Sequence, residues 1–102
     1  MTTPAERFHP SVYLEDERQA RGWTRDDLAR AMMTGDDDDW GLHRLALDLY
    51  CDVGPTNPNL QMGTDGAAAF ARAFDVEAEF FLNLECAWLL ARSTLLYEEI
   101  HR

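Results

Sequence analysis

Thr24–Tyr50 reads TRDDLARAMMTGDDDDWGLHRLALDLY, and how it divides decides the fold. Thr24-Arg25-Asp26-Asp27 has the form of a capping box, with Asp27 in place of the usual glutamate. Leu28, Ala29 and Met32 follow at helical spacing on one face, so they belong in the core. Gly35 and the four aspartates Asp36, Asp37, Asp38 and Asp39 break that helix, because adjacent carboxylates repel. One of Asp37–Asp39 then suits the N-cap of a second helix, Trp40–Asp52. There Leu42, Leu45, Ala46 and Leu49 form an i, i+3, i+4, i+7 stripe, widened by Leu47 and Tyr50. This predicts a helix that is mostly core. Two helices across a short break suggest a helix-turn-helix, whose second helix normally enters the DNA major groove. Here four negative charges precede that helix, which conflicts with such a role.

The rest of the chain also reads as helical, since no segment alternates with period two. His9-Pro10-Ser11 opens a first helix over about Val12–Arg21, with Ser11 as N-cap and Gly22 as the stop. Val12, Tyr13, Leu14 and Ala20 are its candidates for burial, and Trp23 plugs the corner that follows. Residues 53–64, with two prolines and two glycines, predict an ordered loop. Thr64 is expected to cap a short helix, Asp65–Phe74, that buries Ala67, Phe70, Ala71 and Phe74. After Asp75-Val76-Glu77 the last helix runs from about Ala78 to Ile100, roughly 34 Å. It carries one stripe of Phe81, Leu84, Trp88, Ala91 and Leu95. A second stripe of Leu82, Cys86, Leu89, Leu96 and Ile100 lies roughly 140° around the axis. A small monomer covers one such stripe, so the second predicts a homodimer interface. The expected architecture is one all-α domain, 1–102, a compact five-helix bundle. Residues 11–50 form its helix-turn-helix-like core with an acidic insertion, and 64–102 its C-terminal helices.

Composition narrows the function classes. Nineteen acidic residues face nine arginines and no lysine, a net charge of −10. Residues 1–33 carry five arginines and six acids, net −1; residues 34–102 carry four arginines and thirteen acids, net −9. DNA affinity rests on basic groups displacing counterions, so any DNA contact must use the first third or lie next to it. No apolar run is long enough to span a bilayer, and MTTPAERFHP lacks the order of a signal peptide. Cys51 and Cys86 match no metal or redox spacing, so a cytoplasmic protein with two thiols buried as small apolar groups is expected.

With its elements placed, the chain resembles the HigA-type antitoxins of the Xre (Cro and lambda-repressor-like) helix-turn-helix family. His9-Pro10 leads into a helix ending Arg21-Gly22-Trp23-Thr24, similar to the family's HPGE…RGLS. Asp27-Leu28-Ala29-Arg30-Ala31-Met32 is similar to ELARAL. Ala71-Arg72-Ala73-Phe74, then Glu79-Phe80-Phe81-Leu82-Asn83-Leu84-Glu85, is similar to LARAL…EFWLNLQ. The resemblance implies five helices, a homodimer, operator DNA binding and often a toxin partner. The departures fall where the family reads DNA. Met33 stands at a turn position that is glycine in the family, and Arg18 where leucine is usual. Asp36–Asp39 and WGLHRLALDLY replace a recognition helix rich in serine, threonine and arginine.

Two functions compete. In the leading one, a HigA-like regulator uses Arg18, Arg21, Arg25 and Arg44 on operator DNA. The resemblance places Arg25 at a phosphate-contacting position, and Arg44 would read guanine through a bidentate contact. In the other, a non-enzymatic acidic module has lost DNA binding and presents Asp36, Asp37, Asp38 and Asp39 to a basic protein partner, as an inhibitor or DNA mimic. The aspartate run does not fit an EF-hand, since the fifth and twelfth positions from Asp36 are Trp40 and Leu47, so no metal site is expected. His9, His43 and His101 lie far apart with no nucleophile beside them. His9 is expected to brace the first helix, and Arg30 to pair with Asp26 or Asp27. No enzymatic role, cofactor, small-molecule substrate or membrane partner is expected.

Overall fold

A computed structural model of the protein describes residues 8–35 and 39–100, with side chains described as far as residue 93. The described residues form five α-helices joined by turns, with no strand among them.

Helix α1 spans Pro10–Ala20. Its N-cap is His9 rather than Ser11, because the proline ring presets the first helical turn and places His9 one step outside it. His9 Nδ1 accepts the Ser11 backbone N–H at 3.1 Å. The C-terminus closes as a Schellman motif: Trp23 N–H donates to Arg18 C=O at 3.0 Å and Gly22 N–H to Gln19 C=O at 3.0 Å. Gly22 takes φ +70°, a conformation in which a side chain would be strained. Of the four residues expected to be buried, Leu14 is fully so and Tyr13 half-buried. Val12 and Ala20 are exposed, Val12 at the rim of a cleft towards α5.

Helix α2, Arg25–Ala31, starts at the expected capping box. Asp27 N–H donates to Thr24 Oγ1 at 3.1 Å, and Thr24 N–H donates to Asp27 Oδ2 at 2.9 Å. Leu28, Ala29 and Met32 are buried. Helix α3 is Trp40–Asp52, and Asp39 caps it by accepting Gly41 N–H at 2.9 Å.

A 3₁₀ turn over Gly54–Thr56 leads towards α4, Gly63–Phe74. Thr64 does not cap α4: the helix begins one residue earlier, at Gly63 with φ +68°, and no side chain caps its start. Its inward face does bury Ala67, Phe70, Ala71 and Phe74. Asp75, left-handed at φ 57°, ends it. Helix α5, Ala78–Ile100, packs along α4, while α2 packs on α3 and α1 bridges α3 and α5. Phe81 sits at the centre, with ring centroids of Tyr13, Phe70 and Phe74 at 5.7, 5.7 and 6.2 Å. Trp23 stacks on Phe74 at 5.9 Å and fills the α1–α2 corner. Among the described residues no helix is long and apolar enough to cross a membrane.

The expectation for α3 is overturned. Leu42, Leu45 and Leu49 are 65%, 57% and 45% exposed, and Ala46 is exposed too; only Leu47 and Tyr50 of that helix are buried. Two apolar stripes share α3: Leu47 and Tyr50 face the core, Tyr50 against His9, Phe70 and the Glu85 carboxylate. The Leu42–Leu49 stripe lies about 120° around the axis, where no helix among the described residues covers it.

Candidate functional site

The α1–α2–α3 corner gathers three of the four arginines proposed for DNA contact. Arg25, at the first turn of α2, donates to Glu15 of α1 at 3.0 Å and to Asp48 and Asp52 of α3 at 2.9 and 3.0 Å. Arg44 donates to Asp48 at 3.0 Å and also hydrogen-bonds Asp26 of α2. Arg18 donates to Glu15 at 2.6 Å and to Trp23 C=O at 2.5 Å. Four carboxylates thus hold three guanidiniums, and the corner keeps a surplus negative charge. Arg21 stands outside this network. Its guanidinium lies 5.2 Å from the ring centroids of both Trp23 and Phe74, and Glu17 is 3.7 Å away.

The network fixes its own protonation. Burial alone would raise the Glu15 carboxyl, but the Arg18 hydrogen bond and the Arg25 and Arg18 charges bring it below the ordinary value. For Asp48, burial is likewise outweighed by hydrogen bonds from Arg25 and Arg44. The Arg25 hydrogen bond lowers Asp52. Arg25 itself is raised, first by Asp52 and then, against desolvation, by Asp48 and Glu15. Glu15, Asp48 and Asp52 are thus held ionised, so the Arg25 guanidinium stays engaged by carboxylates of its own chain.

Beside this corner lies the outward face of α3. Helical geometry puts Leu42, Leu45, Ala46 and Leu49 on a strip about 100° wide, with Asp48 and Asp52 along one flank. Val53, 40% exposed, continues it past the helix end. Arg30 does not mark this strip: its guanidinium lies 4.8 Å over the Trp40 ring, and its charge helps the Thr24 hydrogen bonds lower Asp27. Of the four aspartates of the acidic run, Asp39 is the α3 cap, and Asp36, Asp37 and Asp38 lie outside the described residues.

Three further titratable groups, His9, Cys51 and Glu85, lie in or beside the core. His9 is 5% exposed, with its ring centroid 4.5 Å from Tyr50 and 4.7 Å from Trp88. Desolvation lowers its pKa from 6.5 to about 4. Burial, with the charge of Glu15, pushes the Cys51 thiol up to about 12. The sequence reading missed Glu85, 6% exposed on α5. It accepts the Tyr50 hydroxyl at 2.5 Å and Met62 N–H at 3.0 Å, tying α5 to α3 and to the start of α4. The available signal was its position four residues after Phe81 and three before Trp88, on the buried side of the helix. A shallow, largely apolar cleft of about 310 Å³ opens between α1 and α5, bordered by Phe8, Val12, Tyr13 and Leu84, with Asp16 its one acidic residue. Among the described residues no group of three His, Cys, Asp or Glu is placed to hold a metal ion.

On α5, Phe81 and Trp88 are buried as the first stripe requires. Of the second stripe, Leu82 packs half-buried against the core, Leu89 is half-buried and Cys86 is exposed. The side chains of Leu96 and Ile100 lie outside those described.

No protein-family model, curated protein or solved structure matches this chain.

Proposed function

We propose that the protein is a non-enzymatic acidic protein-binding module, related in its sequence pattern to HigA-like regulators but no longer a DNA binder. One observation carries this reading. The arginines that would meet DNA, Arg25 and Arg44 above all, are held by Glu15, Asp26, Asp48 and Asp52 of the same chain. A phosphate would have to displace those carboxylates, and the expelled acids would then repel the duplex. The helix that would enter the groove also presents leucines rather than hydrogen-bonding groups, which suits a protein surface better than base edges. His9, buried as a helix cap, and Cys51, a half-buried thiol whose pKa is raised, are not disposed as base or nucleophile, which supports the non-enzymatic part.

The test is a salt titration of the full-length protein against promoter DNA of its own gene. The expected result is no saturable complex even at low salt. Saturable binding that weakens steeply as salt rises would reverse the assignment in favour of an operator-binding regulator. Under that second reading, Asp36–Asp39→Asn strengthens the DNA complex; under the first it does not create one.

A homodimer through α5 belongs to the same proposal, supported by exposed Cys86 and half-exposed Leu89 on the second stripe. Leu89→Arg should then sediment as a smaller species than the wild type, and an unchanged mass removes α5 as the interface.

A further inference from the structure

We infer that the outward face of α3 docks a cationic amphipathic helix of a partner protein. This deepens the protein-binding reading above and rests on it. Leu42, Leu45 and Leu49 are spaced i, i+3, i+7, the seam that a facing helix fills with its own apolar residues. They are the most exposed leucines of α3, at 65%, 57% and 45%, on a helix whose other apolar side is already buried. An isolated exposed leucine is unremarkable, but three in register, extended by Ala46 and Val53, form a continuous strip.

Charge selects the occupant. Residues 36–53 contain six aspartates and one arginine, a net charge of −5 that Arg25, paired with Asp48 and Asp52, reduces to −4, within a chain of −10. Asp39 stands at the N-terminal end of the strip, and Asp52, with its side chain 60% exposed, at the other. Asp48, between them, is held ionised by Arg25 and Arg44. A second copy of α3 laid on the strip would bring the same negative segment against this one, whichever way it ran. In the antiparallel arrangement Asp39 of each copy would approach Asp52 of the other. A helix with leucine-like residues on one side and Lys or Arg along its flanks has no such penalty. Its cations meet Asp39 and Asp52 while its apolar side covers Leu42, Leu45 and Leu49.

The experiment measures fluorescence anisotropy of a labelled synthetic peptide of about 14 residues, roughly four turns of helix, made of leucine and lysine at helical spacing. It is titrated with the full-length protein. Saturable one-to-one binding in roughly the micromolar range is expected. Leu45→Glu should weaken it at least about tenfold. This substitution separates apolar docking from bulk charge attraction, because it makes the protein more acidic. Unchanged or tighter binding would show that charge alone holds the peptide and would overturn the proposal. Failure to saturate overturns it as well, as does equal binding of a peptide with glutamate in place of lysine. Circular dichroism checks that Leu45→Glu folds; should it not, Leu42→Gln at a still more exposed position replaces it. If the wild type sediments as a dimer that Leu45→Glu splits, a second copy occupies the face and the proposal falls. The DNA titration is independent: a salt-sensitive operator complex sinks the protein-binding reading, whereas failure of the peptide alone sinks only the α3 surface.

Discussion

Acidification should unfasten the first helix through His9. Its ring caps α1 by receiving Ser11 N–H at Nδ1, which demands an unprotonated Nδ1, and it lies between Tyr50 and Trp88. The folded pKa, about 4, is below the ordinary 6.5, so between these values the unfolded chain binds the proton and the folded one does not. Stability is therefore full above pH 6.5 and declines as pH falls towards 4. From pH 7 to pH 5 the two values give a loss of about 2 kcal/mol for a fully shielded ring, and about 1–1.5 kcal/mol once water at the ring edge screens part of it. Urea denaturation of the wild type and His9→Asn at pH 7, 6 and 5 measures this. Asparagine retains an N-cap acceptor but does not titrate, so the variant should be weaker at pH 7 yet lose about 1 kcal/mol less than the wild type on acidification. His43, His101 and all carboxylates are common to both proteins, so the difference isolates His9. Equal losses in the two proteins would refute the assignment of acid sensitivity to this cap.

The two sides of α3 should respond in opposite ways. Leu47→Ala, at a fully buried site, is expected to cost about 2–4 kcal/mol in urea denaturation, while Leu45→Ser should stay within about 0.5 kcal/mol. Comparable losses at both positions would mean that the outward strip is covered. Arg25→Met removes the hub that joins α1 to α3 and should cost about 1–2 kcal/mol at low salt, with the deficit shrinking as salt is raised. Gly54→Ala places a Cβ 3.1 Å from the His9 Cε1 and Nε2 atoms, so it should destabilise by about 1–2 kcal/mol and reduce the His9-dependent part of the pH response.

Local physics made the helices legible in the residues themselves. The Thr24–Asp27 capping box, the Gly22 stop, the Asp39 cap and the spacing of Leu28, Ala29 and Met32 each act over one or two turns, so α2 and the limits of α3 follow from sequence. So do Ala67, Phe70, Ala71 and Phe74 of α4, but not Ala69 and Ala73, which are buried on its other side. Where a helix carries two apolar faces, periodicity alone has no means of choosing between them. On α3 the choice fell to the elements packed around it: Leu47 joins the core and Tyr50 meets His9, Phe70 of α4 and Glu85 of α5, which leaves Leu42, Leu45 and Leu49 outside. Long-range pairings were equally hidden: Arg25 meets Asp48 and Asp52 across more than twenty residues of chain, and Tyr50 meets Glu85 across thirty-five. The sequence by itself determined an all-α chain, the caps of α2 and α3 and a strongly acidic charge, because these depend on near neighbours and on composition. Only the tertiary structure decided that Arg25 and Arg44 spend their charge on their own chain and that a leucine strip faces outward, because both depend on which helices meet.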